Sequence, residues 1–440
     1  MRLPKNERII PYFRFLEKSQ WWTPLELEKL QQQRLQVLLV HAYENVPYYH
    51  KLFDMLKLKP QDIKNSMDLL QIPILTKEII KKKFIDLTAQ NYPKNTLTPS
   101  ATSGSTGEPM TFLINRQWRA NNMAAAYREW EWTGYQIGDR IAYLWSSPHD
   151  LSQQAKLKTK LNNLLQKTIY LDALNITEKR LEEYIKILRD FKPKIINAYA
   201  SAIYLIALYM KKKNISYIRP KAILTSCETL FYNQRKLIED VFGCKVFDYY
   251  SGRDTTFHAG ECPEHTGYHM AVENAVIEFI KNNEHVSQGE FGKIVLTDLS
   301  NYAMPLIRYE IGDLGKPSDE QCPCGRGLPL MKEISGRIRD IIITKDGKYV
   351  PGVFFSMLFY DSKGETKGIK QYQFIQKTKD YAILKIVKGE DFSESNLEMI
   401  IEKIREQCTD MVIETDFVDI IPPTSSGKYR TTLSEVNIDI

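Results

Sequence analysis

Apolar residues recur at helical spacing through Leu35-Gln36-Val37-Leu38-Leu39-Val40, so the stretch from about Leu25 to Leu56 reads as helix. Pro47 and the Tyr48–Tyr49 pair are expected to interrupt it. Alternating units follow. Short apolar runs at 140–145, 194–198, 222–225 and 245–250 read as buried strands. Amphipathic stretches at 177–191, 200–213 and 232–242 read as helices, with Thr177 as an N-cap. Strands alternating with helices predict α/β layers with parallel pairing. After Gly260 the texture changes. Segments 276–280, 292–297 and the stretch to Gly312 read as strands joined by short turns, which predicts an antiparallel or barrel-like subdomain. Beyond Gly336, strands at 340–344, 372–375 and 381–387 and a helix from about Glu394 to Cys408 predict a small α+β domain. The expected fold class is α/β. A large N-terminal domain of α/β layers (1–335) carries the barrel-like β subdomain, and a small mobile α+β domain (336–440) follows it.

Length supports that division. A chain of 440 residues exceeds the roughly 250–300 that one hydrophobic core serves. The 43% hydrophobic and 26% charged fractions are those of a globular protein. The net charge of +6 is spread in short lysine runs such as Lys81 to Lys83, which read as solvated helix faces. Basic residues clustered beside base-stacking aromatics are missing, so nucleic acid is not an expected partner. No apolar run approaches the about 20 residues that span a bilayer. The Met1–Glu7 start has no signal-peptide core behind it, which makes the cytoplasm the expected compartment. In a reducing compartment the six cysteines do not form a disulfide framework.

The stretch Ser100-Ala-Thr-Ser-Gly-Ser-Thr-Gly-Glu-Pro109 carries the most chemistry. Gly104 and Gly107 allow close backbone approach. The hydroxyls of Thr102, Ser103, Ser105 and Thr106 offer donors to phosphate oxygens, and backbone N–H groups in such a turn make an anion nest. The same composition also makes a plain flexible turn. The order of residues distinguishes them. Thr-Ser-Gly-Ser-Thr-Gly-x-Pro resembles the phosphate loop of the adenylate-forming superfamily. Within it the chain most resembles the phenylacetate–CoA ligase-like group, which includes CapK-type proteins found with capsular polysaccharide genes. The stretch His41-Ala-Tyr-Glu-Asn-Val-Pro-Tyr-Tyr49 resembles the same group. Glu108 departs from the family, which usually has lysine there.

Further segments arrive in family order. Asp248-Tyr-Tyr-Ser-Gly-Arg-Asp254 resembles the segment whose aromatic stacks on adenine and whose acid holds Mg²⁺. The resemblance gives the first role to Tyr250, beside Tyr249 and Ser251, and the second to Asp254, one methylene shorter than the usual glutamate. Thr225-Ser226-Cys227-Glu228 resembles the backbone that runs along adenine and the acyl pocket, with Ser226 and Glu228 on the nucleotide and Cys227 as a small wall residue. Arg308-Tyr-Glu-Ile-Gly-Asp313 resembles the ribose-binding element, and Asp313 would accept from the ribose hydroxyls. Ser335-Gly-Arg-Ile-Arg-Asp340 resembles the segment in which Arg337 binds ribose or phosphate and Asp340 is the hinge. Pro422-Pro-Thr-Ser-Ser-Gly-Lys-Tyr-Arg430 resembles the C-terminal loop whose lysine, here Lys428, meets the carboxylate and α-phosphate. Trp145, His149, Tyr199 and Ser201 would line the acid pocket.

Cys262-Pro-Glu-His265-Thr-Gly-Tyr-His269 and the later Cys322-Pro-Cys324 suggest a tetrahedral Cys₃His zinc site. Its ligands are expected to be Cys262, His269, Cys322 and Cys324, with His265 as the rival fourth. Some phenylacetate–CoA ligase-like proteins carry a similar pattern, which implies a structural zinc.

The resemblance implies a two-step ligase that uses ATP and Mg²⁺. A carboxylic acid becomes an acyl-adenylate, with Lys428, Asp254 and Thr106 as the catalytic residues, and an acceptor then takes the acyl group. Coenzyme A is the family default. The CapK likeness leaves room for an amine or sugar hydroxyl in capsule or surface-polysaccharide assembly, and for a homodimer. Glu108 and Asp254 favour a rival reading, a catalytically weak nucleotide-binding or scaffold protein of the same fold. A nucleotidyltransferase would need Lys-x-Asp-Gly, and Lys345-Asp346-Gly347 lacks the spacer.

Overall fold

The computed structural model describes residues 9–101, 110–145, 167–173, 178–337, 341–346, 349–359, 368–409, 411–422 and 430–436. They fall into two compact units, 1–137 with 249–334 and 138–248 with 335–440.

In the first unit the expected helix is two, Pro24–Asn45 and Pro47–Leu56. The break sits at Val46, whose extended backbone is what a residue before proline prefers. Thr23 caps the longer helix in a reciprocal box with Glu26. The buried side chains of both helices join a core with Tyr49, Phe53, Leu306 and Tyr309.

A further helix, Arg116–Trp132, carries no clear apolar stripe because part of its buried face is charged. Arg128 pairs with Glu273 at 2.7 Å, and Glu129 meets His258 at 3.1 Å. Near its end, burial and then the charge of Glu17 push the Glu131 carboxyl up to about 7. A carboxyl that holds its proton more tightly when folded favours the fold below its unfolded pKa and loses that advantage as pH rises through the folded one. Stability is therefore expected to fall from about pH 4.5 to about pH 7. Glu131→Gln should raise the melting temperature more at about pH 8 than at about pH 5. An equal rise at both would contradict this.

The strands of this unit run, in spatial order, Glu284–His285, Ala275–Lys281, Gly292–Asp298, Tyr309–Ser318, Leu330–Arg337, Tyr268–Met270, His258–Glu261 and then the end of Lys245–Ser251. Among them, the pairings 275–281 with 284–285, 275–281 with 292–298, 292–298 with 309–318, and 258–261 with 268–270 are antiparallel. Two residues too many separate the pairs Val295–Glu310 and Lys293–Leu314, so the 309–318 strand bulges there. Gly312, at φ +92°, supplies the left-handed backbone the bulge needs.

In the second unit, strands 168–171, 141–144, 195–199, 222–226 and 245–248 lie side by side, all parallel. Helices Glu178–Phe191, Ala200–Lys212 and Tyr232–Phe242 separate them in sequence. Full burial from Ile195 to Ala198 and from Ala222 to Thr225 explains why these strands read as mostly apolar runs, with Asn197 and Thr225 the polar exceptions. The stretch from Ile341 keeps its own core around Phe355, Phe374, Leu384 and Ile400. There the antiparallel pair Ile369–Thr378 and Tyr381–Lys388 is flanked by parallel strands Thr432–Ser434 and Val412–Phe417, with helix Glu394–Gln407. The structure thus has the expected α/β class, with a small α/β C-terminal region. No helix among the described residues is long and apolar enough to cross a membrane.

Candidate functional site

In the first unit, two motif segments meet through side chains. The Tyr250 hydroxyl donates to Asp313 Oδ2 at 2.5 Å. The Tyr309 hydroxyl donates to Asp254 Oδ2 at 2.8 Å. Tyr250 and Asp313 sit on strands with three others between them. On a flat sheet, four steps between strands would span about 19 Å, beyond the reach of a Tyr–Asp pair. The sheet must therefore curl, which is the barrel-like shape the sequence leads one to expect. Asp313 is presented by the bulge, and half-buried Tyr250 lies edge-on to Phe257 at 6.0 Å.

Asp254 is buried, as is Tyr309. Burial, and then the charge of Asp254, pushes the Tyr309 hydroxyl far above its ordinary range, so it stays a proton donor. Tyr309 is the residue that reading the sequence missed. It stands inside the Arg308–Asp313 motif, but its partner is 55 residues upstream and only the curl brings them together. Mg²⁺ commonly takes one or two protein carboxylates plus phosphate oxygens. Asp254 fits that pattern: one oxygen is fixed by Tyr309 and the other lies against Gly252, where a Cβ would come within 2.6 Å of it. Tyr249 is buried and Ser251 half-buried on the same strand.

In the second unit, the C-terminal ends of the parallel strands gather the other candidates. Trp145 follows the 141–144 strand, and its ring lies 4.7 Å from that of Tyr199, which ends the neighbouring strand. Ser226 ends the next strand in register with Tyr199. Its buried hydroxyl has no hydrogen-bond partner among the described residues. Cys227 is exposed with φ +68°, a left-handed conformation unusual for cysteine, and Glu228 is half-buried. Thr225 donates to Asp248 at 2.6 Å one strand over. Open parallel sheets bind ligands at this carboxyl edge. Ser201 lies in the first turn of the 200–212 helix, and Arg337 ends the Leu330–Arg337 strand. Thr102, Ser103, Gly104, Ser105, Thr106, Gly107, Glu108, His149, Thr177, Asp340 and Lys428 lie outside the described residues.

The cysteines and histidine converge in the first unit. Ligand atoms of Cys262, His269, Cys322 and Cys324 lie within 4.8 Å of one another. The Sγ atoms of Cys262 and Cys322 are 3.5 Å apart, and Cys324 Sγ is 3.3 Å from His269 Nε2. A tetrahedron with bonds of ~2.0–2.3 Å sets donors ~3.5–3.8 Å apart, so the set fits zinc. His269 Nδ1 faces the Leu328 carbonyl at 3.3 Å, which fixes the tautomer that aims Nε2 at the thiols. Burial pushes His269 down to about 4, leaving the neutral imidazole that ligates metals. The rival His265 turns back to Glu261 at 3.2 Å and is not part of the cluster. Thr266 Oγ1 donates to Cys322 Sγ at 3.2 Å, and the Arg326 N–H to Cys324 Sγ at 3.5 Å. The loop docks closely on the turn between helix Ile9–Ser19 and helix Pro24–Asn45. The Gly327 N–H donates to Gln20 O at 3.0 Å, and a Cβ at Gly327 would stand 1.8 Å from Trp22 O.

Residues 342–435 match the family described as CapK C-terminal domain. Protein CapK of Staphylococcus aureus is 25% identical over 426 residues, covering 93% of this chain and 90% of that one. A phenylacetate-coenzyme A ligase of Thermus thermophilus is 25% identical over 447 residues, covering 93% and 96%. A crystal structure of 2-hydroxyisobutyryl-CoA ligase, in the postadenylation state with an acyl-AMP, matches with TM-score 0.75 over 95% of this chain and 92% of that one. Its 18% identity makes this a likeness of fold. In fold and in sequence the chain is similar to the adenylate-forming ligases. Among them it is similar to the phenylacetate–CoA ligase and CapK proteins, as the loop from Thr102 and the His41–Tyr49 stretch lead one to expect.

Proposed function

We propose that this chain is an AMP-forming ligase that activates a carboxylic acid with ATP and passes the acyl group to an acceptor, by default coenzyme A. The observation that carries this reading is the meeting of Tyr250 with Asp313 and of Tyr309 with Asp254, which puts the ribose-type and metal-type acids of two distant motifs in one place. In the first step the carboxylate oxygen attacks the α-phosphorus and pyrophosphate leaves. The loop from Thr102 to Gly107 cradles the phosphates, with Thr106 donating to them. Asp254 holds Mg²⁺, which neutralises phosphate charge. Asp313 and Arg337 hold the ribose, and Tyr250 stacks on adenine beside Tyr249, Ser251, Ser226 and Glu228. Lys428 meets the charge that develops at the α-phosphate. In the second step the acceptor's nucleophile attacks the acyl carbon and AMP leaves. The 336–440 segment acts as a lid on the 1–335 domain and turns about Asp340, keeping water from the labile adenylate. Trp145, His149, Tyr199, Ser201 and Cys227 line the acid pocket.

A thiol acceptor is supported by the relatives named phenylacetate-coenzyme A ligase; an amine or sugar is the alternative acceptor, and a role in capsule assembly is suggested only by the name of the CapK relative. The cytoplasm, where ATP and coenzyme A are at hand, is the compartment this chemistry suits. Incubation with ATP, Mg²⁺ and a panel of acids, with coenzyme A, amines or sugars added in turn, tests both halves. Pyrophosphate release that depends on the acid supports the reading. Its absence with every acid would leave the scaffold alternative.

We propose further that Cys262, His269, Cys322 and Cys324 hold a structural zinc, with no open position for catalysis. The purified chain is expected to carry about one zinc per molecule, and Cys324→Ser to lose it together with several degrees of melting temperature. A metal-free wild type of unchanged stability would contradict this.

A further inference from the structure

The two tyrosine–carboxylate bonds run in opposite directions. Tyr250, on the 245–251 strand, holds the carboxylate of Asp313, on the 309–318 strand. Tyr309, four positions before Asp313, reaches back to Asp254, four positions after Tyr250. Each segment thus supplies one acid and the hydroxyl that restrains the other's acid. Both acids lie where regular strand pairing is interrupted or has ended. Asp313 rides on a bulge at Gly312, and Asp254 follows the end of its strand with a side chain one methylene shorter than the family's usual glutamate. A short carboxylate has less reach and gains more from a fixed partner. The deep burial of Tyr309 and Asp254 makes their bond one that water cannot replace.

We propose that Tyr250 and Tyr309 are positioning residues that form a crossed latch: Tyr309 sets Asp254 for the metal, and Tyr250 sets Asp313 for the ribose. This rests on the ligase reading. Two hydroxyls with separate tasks should fail separately, whereas two hydroxyls that merely staple the curled sheet should fail alike.

The test is calorimetric titration of the full chain with ATP, with no acid present. ATP is titrated with and without added Mg²⁺, and 2′-deoxyATP and 3′-deoxyATP are titrated alongside. In Tyr309→Phe the gain in affinity brought by Mg²⁺ should shrink about tenfold, the scale of one lost bond to a carboxylate, while discrimination against the deoxynucleotides stays as in wild type. In Tyr250→Phe, which keeps the stacking ring, the discrimination should shrink by a similar factor and the Mg²⁺ gain should stay. Variants that change neither quantity, or both together by one factor, overturn the latch. A wild type that binds no ATP overturns the ligase reading and the latch with it. If Tyr309→Phe does not fold, the half-buried Tyr250→Phe decides alone: lost ribose discrimination with an intact Mg²⁺ gain supports the latch, and any other pattern overturns it.

Discussion

Lys428→Ala is expected to lower acid-dependent pyrophosphate release by about 10²–10³-fold, the cost of removing one donor that faces charge developing in a transition state. The affinity for ATP should change little. In the proposed mechanism the lysine acts on charge that appears only as the α-phosphorus becomes pentavalent, so its loss would belong in the rate and not in ground-state binding. Glu108 sharpens the expectation, because the position where the family usually has a lysine is anionic here. Steady-state kinetics at saturating acid would check it. A rate within a few-fold of wild type would remove Lys428 from the chemistry, and an equal rise in the ATP dissociation constant would make it a binding residue.

The second large effect is on stability. Arg308 and Glu278 are both fully buried. The Arg308 Nε stands 3.1 Å from each carboxylate oxygen and Nη2 stands 3.0 Å from one of them, while Nη1 donates to the Ile72 carbonyl. Burial pushes the Glu278 carboxyl up and the neighbouring guanidinium opposes the shift. Arg308→Met removes the guanidinium and leaves that acid beside the His285 ring, whose Nε2 is 3.8 Å away, which should cost about 3–5 kcal/mol, a large part of a typical domain's stability. Replacing both residues with apolar side chains of similar volume should recover most of the loss, since a buried pair contributes little beyond satisfying itself. Denaturant unfolding of the two single variants and the double variant would check this. A single variant that loses less than about 1 kcal/mol would contradict it. Because Arg308 adjoins Tyr309, the same substitution should also loosen the grip on Asp254.

Much of this architecture was legible because its signals are local. The strands at 195–199 and 222–226 are buried along their whole length, so their sequences are mostly apolar, with Asn197, Thr225 and Ser226 as buried polar exceptions. The convergence of Cys262, His269, Cys322 and Cys324 was legible because cysteine and histidine in two tight clusters serve few other purposes. Spacing could not choose between His265 and His269. The choice follows from placement: His269 lies in the 268–270 strand, paired with Leu330 beside the cysteine loop, while His265 sits in a turn at φ +50°. The Arg116–Trp132 helix was invisible for the opposite reason. Charges at Arg128 and Glu129 are buried by pairing with residues more than a hundred positions away, so no apolar period marks the face. Tyr309 was missed on the same ground, since its role depends on the curl of a sheet and no neighbour in sequence announces it.

The central claim, that this chain makes an acyl-adenylate, is tested most directly by exchange of labelled pyrophosphate into ATP with no acceptor present. That measurement isolates the first half-reaction from the unsettled identity of the acceptor. The account predicts exchange that requires Mg²⁺ and one or a few acids of the panel, and that disappears in Asp254→Ala. Exchange independent of any acid, or none with any acid while ATP still binds, would contradict it.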